Sequence, residues 1–192
     1  MIAHPAVLLY SPSGAGKTSL AEAMLFDAGA ITRLGKVSEG NTTSDYEPEE
    51  IKRKITISCA FHHYQWKKHA IYLADTPGDD NFLADTRAAL HVGDAAVVVV
   101  DAVDGVKVGT EKVWQTANHY NLPRLLFINK LDRERALCAI REQIAVPLGI
   151  DVYEAAEGVV ELFEENLKGH LASAVLSKGY APIRGQVPED PR

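Results

Sequence analysis

The stretch Ser11–Thr18 (SPSGAGKT) restricts the possible folds of this chain more than any other feature. It follows an apolar run, Val7–Tyr10, and it opens a helical pattern over Lys17–Ala28. A glycine-rich loop between a strand and a helix can turn backbone N–H groups toward a polyphosphate, and the helix N-terminus adds its positive end. The stretch therefore predicts a phosphate-binding loop, called the phosphate loop below.

Individual residues of the phosphate loop have distinct predicted roles. Lys17 would reach the β- and γ-phosphates of a nucleotide, and the Thr18 hydroxyl is a ligand for Mg²⁺. The usual pattern begins with Gly where this chain has Ser11, which costs about 1–3 kcal/mol if that position needs a positive φ. An ordinary Gly/Ser-rich turn before a helix is the alternative. The predicted nucleotide-binding residues here are Ser13, Gly14, Ala15, Gly16, Lys17, Thr18 and Ser19.

Apolar runs and helical patterns alternate along most of the chain. Strands are predicted at Val7–Tyr10, Ile55–Trp66, Ala70–Ala74, Ala95–Val100 and Arg124–Ile128. Helices are predicted at Lys17–Ala28, Asn81–His91, Thr110–Tyr120 and Asp132–Ile144. This order predicts an α/β fold of the P-loop NTPase type, with a mostly parallel central sheet flanked by helices on both faces. Ligands of such sheets bind at the carboxyl ends of the strands.

Two segments depart from this alternation. Residues 33–54, called the polar loop below, have no clear periodicity, and a loop of this length is usually functional or mobile. A 3-4 apolar spacing predicts a helix over residues 152–168, and the tail from Tyr180 is proline-rich. We therefore expect one domain over residues 1–192, in which residues 144–192 form a divergent, shortened C-terminal part.

Composition excludes several classes of protein. Hydrophobic residues make up 46% of the chain and charged residues 24%, which is ordinary for a globular domain. The net charge of −6 argues against a basic clamp on nucleic acid or on an anionic membrane. Two cysteines make no disulfide framework, and no apolar run reaches the ~20 residues of a membrane helix. We expect a cytoplasmic chain with no membrane association and no sequence-specific nucleic acid partner.

The segment Asn129-Lys130-Leu131-Asp132 follows a predicted buried strand and indicates which base is bound. The Asp132 carboxylate can accept two hydrogen bonds, from N1–H and the 2-amino group of guanine, a pair that adenine does not offer. Asn129 and the stem of Lys130 would brace the loop and cover the ring. The alternative is a solvated helix start with Asp132 as N-cap.

The segment Asp75-Thr76-Pro77-Gly78 follows another predicted strand. Asp75 is placed to reach Mg²⁺ through a water molecule, and the Gly78 N–H can face a γ-phosphate at close approach. Thr56 begins a strand after the polar loop, and the order of motifs suggests that its hydroxyl completes the Mg²⁺ shell with Thr18. The polar loop would then be ordered by the triphosphate and released by the diphosphate.

The order and content of these motifs resemble the GTP-binding domain of translational GTPases, specifically elongation factor G and its paralogues. The resemblance spans roughly residues 5–143. It is strongest in LFDAGAI, SDYEPEEI, GTEKVW and PRLLFINKLDR, which are residues 25–31, 44–51, 109–114 and 123–133. It implies a GTP/GDP switch with Mg²⁺ as cofactor that acts on the ribosome.

The resemblance also assigns further residues. It implies Lys17, Gly78 and Asp79 as the catalytic positions, and the family has a His where this chain has Asp79. An acid cannot supply a cationic donor there, so we expect slow GTP hydrolysis. Ser173 and Ala174 resemble the pair whose backbone contacts the guanine carbonyl. Lys54 stands where the family usually has Gly.

Three functions remain open from the sequence. The favoured one is a GTP-binding and slowly hydrolysing domain of a translational GTPase. The second is a degenerate nucleotide-binding module that does not hydrolyse GTP, as Ser11 and Asp79 suggest. The third is a P-loop kinase or ATPase, which fits the phosphate loop but not Asn129–Asp132.

Overall fold

The computed structural model describes residues 5–130 in full and the backbone of residues 151–154 and 160–163. The strands are β1 Ala6–Tyr10, β2 Ala60–Trp66, β3 His69–Asp75, β4 Ala95–Asp101, β5 Arg124–Asn129, β6 Asp151–Glu154 and β7 Val160–Phe163. The α-helices are α1 Lys17–Asp27, α2 Pro48–Arg53, α3 Leu83–Leu90 and α4 Val108–His119. Short 3₁₀ helices lie at Val37–Glu39 and Asp80–Phe82.

All seven described strands form one sheet in the order β2-β3-β1-β4-β5-β7-β6. The four central strands, β3, β1, β4 and β5, are parallel to one another. Antiparallel strands extend both sides, β2 beside β3 and the β6–β7 hairpin beside β5. The P-loop type of α/β fold that the alternation predicts is confirmed.

Helices cover both faces of this sheet because the central strands are buried on both sides. In β1, Leu8 and Tyr10 belong to one apolar cluster, which includes Trp114 of α4. Leu9, between them, belongs to the opposite cluster with Leu25 of α1. Alternate side chains of a strand point to opposite faces, so this one strand anchors both layers of the core.

The strand predicted to begin at Ile55 begins at Ala60 instead. The reason is a side chain, since the Glu50 carboxylate accepts the backbone N–H groups of Ile57 and Ser58 at 2.9 and 3.0 Å. Those two N–H groups are therefore not available for hydrogen bonds to a neighbouring strand. The polar loop also contains more order than predicted, because it includes α2 and the 3₁₀ helix Val37–Glu39.

The helix predicted over residues 152–168 is wrong where the structure describes this segment. Residues 151–154 and 160–163 are strands, and β7 pairs antiparallel with β5, with Leu126 opposite Leu162. This pairing satisfies backbone groups along an edge that β5 would otherwise expose. The helix predicted over 132–144 lies outside the described residues. No helix in the described ranges is long and apolar enough to cross a membrane.

Candidate nucleotide-binding site

A cavity of about 200 Å³ opens above the carboxyl ends of the parallel strands. Four segments that are far apart in the sequence meet around it: the phosphate loop with the start of α1, the polar loop, the turn after β3 and the end of β5. The residues that line it are Ser13, Gly14, Gly16, Lys17, Thr18, Ser19, Val37, Asp45, Lys54, Ile55, Thr56, Gly78 and Lys130. The structure therefore brings together most of the predicted site residues in the described part of the chain.

Lys17 is a buried cation at the floor of the cavity. Its side chain is 5% exposed, and Nζ donates to the carbonyl oxygens of Ser11 at 2.9 Å and Pro12 at 3.2 Å. Burial lowers the pKa of Lys17 to about 8, although the nearby negative charges of Asp75 and Asp45 oppose this effect. A phosphate would offer this ammonium a stronger partner than two neutral carbonyls.

Ser11 does not strain the phosphate loop. Its backbone φ is not positive, so the expected cost of replacing Gly at this position does not arise. The residue is 1% exposed, and its hydroxyl lies 3.2 Å from the Pro12 carbonyl and 3.4 Å from Lys17 Nζ. Ser11 thus adds a polar contact to the lysine rather than a distortion.

Two glycines of the site cannot readily be replaced, Gly16 because of its positive φ and Gly78 because the phosphate loop backbone approaches it closely. Gly16 has φ of 102°, and a Cβ there would lie 2.2 Å from Asn129 Nδ2. A Cβ on Gly78 would lie 2.4 Å from Lys17 Nζ and 2.6 Å from the Ser13 nitrogen. The Gly78 carbonyl accepts the Ser13 N–H at 2.9 Å, which holds the turn after β3 against the phosphate loop.

The start of α1 has the features of an anion site. Its N-cap residue is Gly16, and no side chain caps the helix. The first N–H groups of a helix have no partner within the helix, and they carry the positive end of its dipole. A phosphate beside Lys17 would therefore meet free donors at this end of α1.

Three side chains form a set that fits Mg²⁺. The hydroxyl oxygens of Thr18 and Thr56 lie 3.0 Å apart, and Thr56 donates its only hydroxyl proton to Asp45 at 2.8 Å. Thr18 must therefore be the donor to Thr56, which leaves its oxygen lone pairs available. Oxygen ligands of this kind, with one carboxylate, suit Mg²⁺.

The carboxylate of that set is Asp75, at the end of β3. Asp75 is fully buried, and among the described residues neither of its oxygens has a hydrogen-bond partner of good geometry. Burial raises the pKa of Asp75 to about 6, although the nearby positive charge of Lys17 opposes this effect. A buried acid without a partner is costly, and a cation beside it would remove that cost.

The end of β5 is joined directly to the phosphate loop. Asn129 Nδ2 donates to the Ala15 carbonyl at 2.9 Å, and Lys130 Nζ donates to the Gly14 carbonyl at 2.7 Å. These contacts connect residues more than one hundred positions apart. They place Asn129 and Lys130, the first two residues of the segment predicted to read the base, beside the segment predicted to hold the phosphates.

Residues 3–183 match the family described as the elongation factor Tu GTP binding domain. The chain belongs to this family. The GTP-binding fold and the P-loop assignment made from the sequence are thereby confirmed.

Similar proteins support the same conclusion. The GTP-binding domain is 39% identical over 160 residues to elongation factor G of Granulibacter bethesdensis, which covers 78% of this chain and 23% of that protein. It is 45% identical over 122 residues to the mitochondrial ribosome-releasing factor 2 of Candida dubliniensis, which covers 64% of this chain and 15% of that protein. The resemblance to elongation factor G is confirmed.

A solved structure from Thermus thermophilus shares the fold of this GTP-binding domain. Its TM-score is 0.73 at 36% identity, over 81% of this chain and 24% of that one. The chain thus spans a quarter or less of the length of each of these three proteins.

Two carboxylates of the GTP-binding domain were missed by sequence reasoning. Asp45, in the polar loop, is 3% exposed, lines the cavity and accepts the Thr56 hydroxyl. Asp101 ends β4, and its Oδ2 lies 2.5 Å from Lys130 Nζ. Burial raises the pKa of Asp101, but the hydrogen bonds from Lys130 and from the backbone N–H groups of Val103 and Asp104, together with the charge of Lys130, outweigh it, so the net shift is downward. An acid directly after a run of four valines was a signal for Asp101, whereas the polar loop gave no signal for Asp45.

Asp79 does not line the cavity of the GTP-binding domain. Its Oδ1 accepts the backbone N–H of Asn81 at 2.9 Å and the Asn81 amide at 2.8 Å, and so it caps the 3₁₀ helix that follows. A catalytic role of Asp79 stays a prediction. Asp132, Ser173 and Ala174 lie outside the described residues, and their roles also stay predictions.

Proposed function

We propose that this chain binds GTP and GDP with Mg²⁺ and works as a nucleotide switch. The observation that carries the proposal is the junction between the end of β5 and the phosphate loop, where Asn129 and Lys130 donate to Ala15 and Gly14. One nucleotide could then contact both segments, with its phosphates on α1 and its base near residue 132. The buried, unpartnered Asp75 beside Thr18 supports Mg²⁺ as the cofactor.

Each described residue would contribute a specific effect. Lys17 and the N-terminus of α1 would bind the phosphate oxygens, and Gly78 would approach the γ-phosphate closely. Thr18, Thr56 and Asp75 would hold Mg²⁺, which neutralises phosphate charge when bound. The residues Asn129 and Lys130 would brace the base loop while Asp132 selects guanine.

We propose further that hydrolysis by this chain alone is slow. The side chain of Asp79 is acidic and is hydrogen-bonded to Asn81, so it is not aimed at an attacking water. A module that binds nucleotide without hydrolysing it is the second candidate, and this same hydrogen bond favours it.

The relatives also suggest a role on the ribosome. The names of the relatives, elongation factor G and ribosome-releasing factor 2, refer to translation, but the chain spans only part of their length. We propose that this domain serves such a factor, and that it works in the cytoplasm.

Isothermal titration with GDP, GTP and ATP, each with Mg²⁺ and with EDTA, tests the binding proposal. We expect both guanine nucleotides to bind more tightly with Mg²⁺ and ATP to bind at least about tenfold more weakly. Asp132→Asn should weaken GDP binding by at least about tenfold, because an amide cannot accept both guanine N–H groups. Equal affinities for ATP and GTP would contradict the proposal and favour a kinase or ATPase.

A further inference from the structure

Glu22 is a buried acid on α1 with no role in the predicted site. It is 1% exposed. Its Oε2 accepts the backbone N–H of Gly35 at 2.9 Å, and its Oε1 accepts the backbone N–H of Thr43. One carboxylate thus holds two points of the polar loop that are eight residues apart in the sequence.

The polar loop fits closely around this carboxylate. A Cβ on Gly35 would lie 2.5 Å from Glu22 Oε2 and 2.7 Å from the Asn41 carbonyl oxygen. Gly35 is therefore required by the approach of the loop to the acid. The contact is specific in geometry and is not a chance approach of an exposed chain.

The polar loop continues from this attachment to the predicted metal ligands. The Thr42 hydroxyl donates to Asp45 Oδ2 at 3.3 Å, and Asp45 Oδ1 accepts the Thr56 hydroxyl at 2.8 Å. Thr56 in turn lies 3.0 Å from Thr18. A closed path of contacts therefore begins at Glu22 and returns to Thr18.

Both ends of this path lie on α1, four residues apart. Residues at positions i and i+4 lie on the same face of a helix, one turn from each other. Helix α1 therefore carries both Thr18, a predicted Mg²⁺ ligand, and the carboxylate of Glu22, which holds the polar loop. Any movement of the loop away from Glu22 would shift Asp45 and Thr56 relative to Thr18.

A second buried acid supports the polar loop from its other side. Glu50 is 1% exposed and accepts the backbone N–H groups of Glu47 at 3.1 Å, Ile57 at 2.9 Å and Ser58 at 3.0 Å. It fixes the segment on the far side of Thr56, whereas Glu22 fixes the segment before Asp45. Of these two acids, Glu22 is the one that lies on α1 and hydrogen-bonds the polar loop from there.

We propose that Glu22 is a positioning residue that attaches the polar loop to α1, and so couples the order of this loop to the Mg²⁺-nucleotide site. This inference rests on the proposed function. If one of the two backbone N–H groups lost its acceptor on Glu22, the equilibrium between the attached and the detached loop would shift by a factor of about ten or more. Attachment of the polar loop to α1 would therefore require both carboxylate oxygens of Glu22.

The decisive variant is Glu22→Gln, with Asp27→Asn as its matched control. Glutamine has the same shape but only one acceptor oxygen, so its amide group would face one of the two N–H donors. Asp27 lies on the same helix, is exposed and loses the same charge on substitution to Asn. The measurements are hydrogen–deuterium exchange over residues 33–45 with Mg²⁺ and either GDP or a non-hydrolysable GTP analogue, and the Mg²⁺ concentration for half-maximal analogue binding.

We expect Glu22→Gln to speed exchange of the loop in the analogue complex by about tenfold and to raise the half-maximal Mg²⁺ concentration by about tenfold. Its affinity for GDP in EDTA should equal that of the unchanged chain, because the loop attachment does not touch the phosphate loop. The Asp27→Asn variant should behave as the unchanged chain in all three measurements.

Several outcomes would overturn the inference. Unchanged loop exchange and Mg²⁺ dependence in Glu22→Gln would do so, even if its melting temperature fell, because that result indicates a merely structural acid. If the variant does not fold, hydrogen–deuterium exchange of the unchanged chain tests the coupling instead. Slower exchange at Gly35 and Thr43 with the analogue than with GDP supports coupling, and equal exchange refutes it. Absence of any guanine nucleotide binding by the unchanged chain would instead refute the proposed function.

Discussion

The buried carboxylate of Asp75 destabilises the nucleotide-free protein at neutral pH. Its folded-state pKa is raised to about 6 from an ordinary value of 3.8. The folded state therefore holds a proton between pH 4 and 6 that the unfolded state has lost, so stability falls as the pH rises through this window. Above pH 6 the cost is about 3 kcal/mol, at ~1.4 kcal/mol per pKa unit.

Asp75→Asn should therefore raise the free energy of unfolding of the nucleotide-free chain by up to about 3 kcal/mol at pH 7, with little change at pH 4. The same variant should lose the Mg²⁺ dependence of nucleotide binding, because an amide is a poor Mg²⁺ ligand. Urea unfolding at both pH values and Mg²⁺ titrations measure the two effects. Asp27→Asn, which is exposed, is the control. A variant less stable than the unchanged chain at pH 7 would contradict this account.

Asp79 is the residue at which the proposed slow hydrolysis can be tested. Its carboxylate accepts two hydrogen bonds from Asn81, and a histidine there would be free of that acceptor role. Asp79→His should raise the single-turnover rate of GTP cleavage by about 10²-fold or more, the effect of one positioned acid–base group. Equal and fast cleavage rates for both proteins would contradict the proposal that Asp79 slows hydrolysis. Nucleotide affinity should stay the same, since Asp79 does not line the cavity.

At the end of α2, the residue type conflicts with the backbone conformation. Lys54 closes this helix with φ of 56° and ψ of 40°, in the left-handed region, and its N–H donates to the Glu50 carbonyl. A side chain costs about 1–2 kcal/mol there, and glycine costs little. The left-handed backbone therefore explains why the resemblance leads one to expect Gly where this chain has Lys54.

Lys54→Gly should raise the free energy of unfolding by about 1 kcal/mol, because the relief of strain exceeds the added freedom of the unfolded chain. Lys52→Gly, inside α2, should lower it by about 1 kcal/mol. Urea midpoints at constant slope measure both changes. A destabilised Lys54→Gly would show that the lysine side chain contributes more than its backbone costs. Lys54→Asn separates the two effects, since Asn tolerates this conformation without the charge.

At the scale of the whole molecule, the site is assembled from charged and polar side chains that come from several elements at the carboxyl edge of the sheet. Lys17 and Thr18 come from the start of α1, Asp45 from the polar loop, Asp75 from β3 and Lys130 from the end of β5. The folded-state pKa of Lys17, about 8, is well below its ordinary 10.5. Between these values the unfolded state binds more protons, so this group makes the nucleotide-free fold more stable as the pH rises.

Nucleotide binding should have the opposite pH dependence over the same window. Phosphate favours the charged form of Lys17, so GDP affinity should fall by up to about tenfold per pH unit above pH 8, with proton uptake on binding. Titration calorimetry at pH 7, 8 and 9, in two buffers of different ionisation enthalpy, measures both quantities. In Lys17→Arg the guanidinium stays charged, so the slope should vanish even though binding is weaker. A flat affinity and no proton uptake at pH 9 would refute the assignment.

The local features of this protein follow from the sequence alone. A phosphate loop between a strand and a helix, a buried valine strand and the segments after β3 and β5 all depend on residues that are neighbours in the chain. Their meaning can be derived from short-range periodicity and from the chemistry of a few side chains. The roles of Gly16-Lys17-Thr18, Asp75–Gly78 and Asn129-Lys130 could therefore be predicted from the sequence, and the α/β fold predicted with them is confirmed.

Other features were decided only by the tertiary structure. The start of β2 at Ala60 depends on Glu50 accepting two backbone amides, and the β6–β7 hairpin depends on an open edge of β5. The two hydrogen bonds that Glu22 accepts depend on which backbone N–H groups of the polar loop the fold brings next to α1. Such pairings join residues distant in sequence through the balance of unpaired polar groups in the folded chain, and no local pattern records that balance.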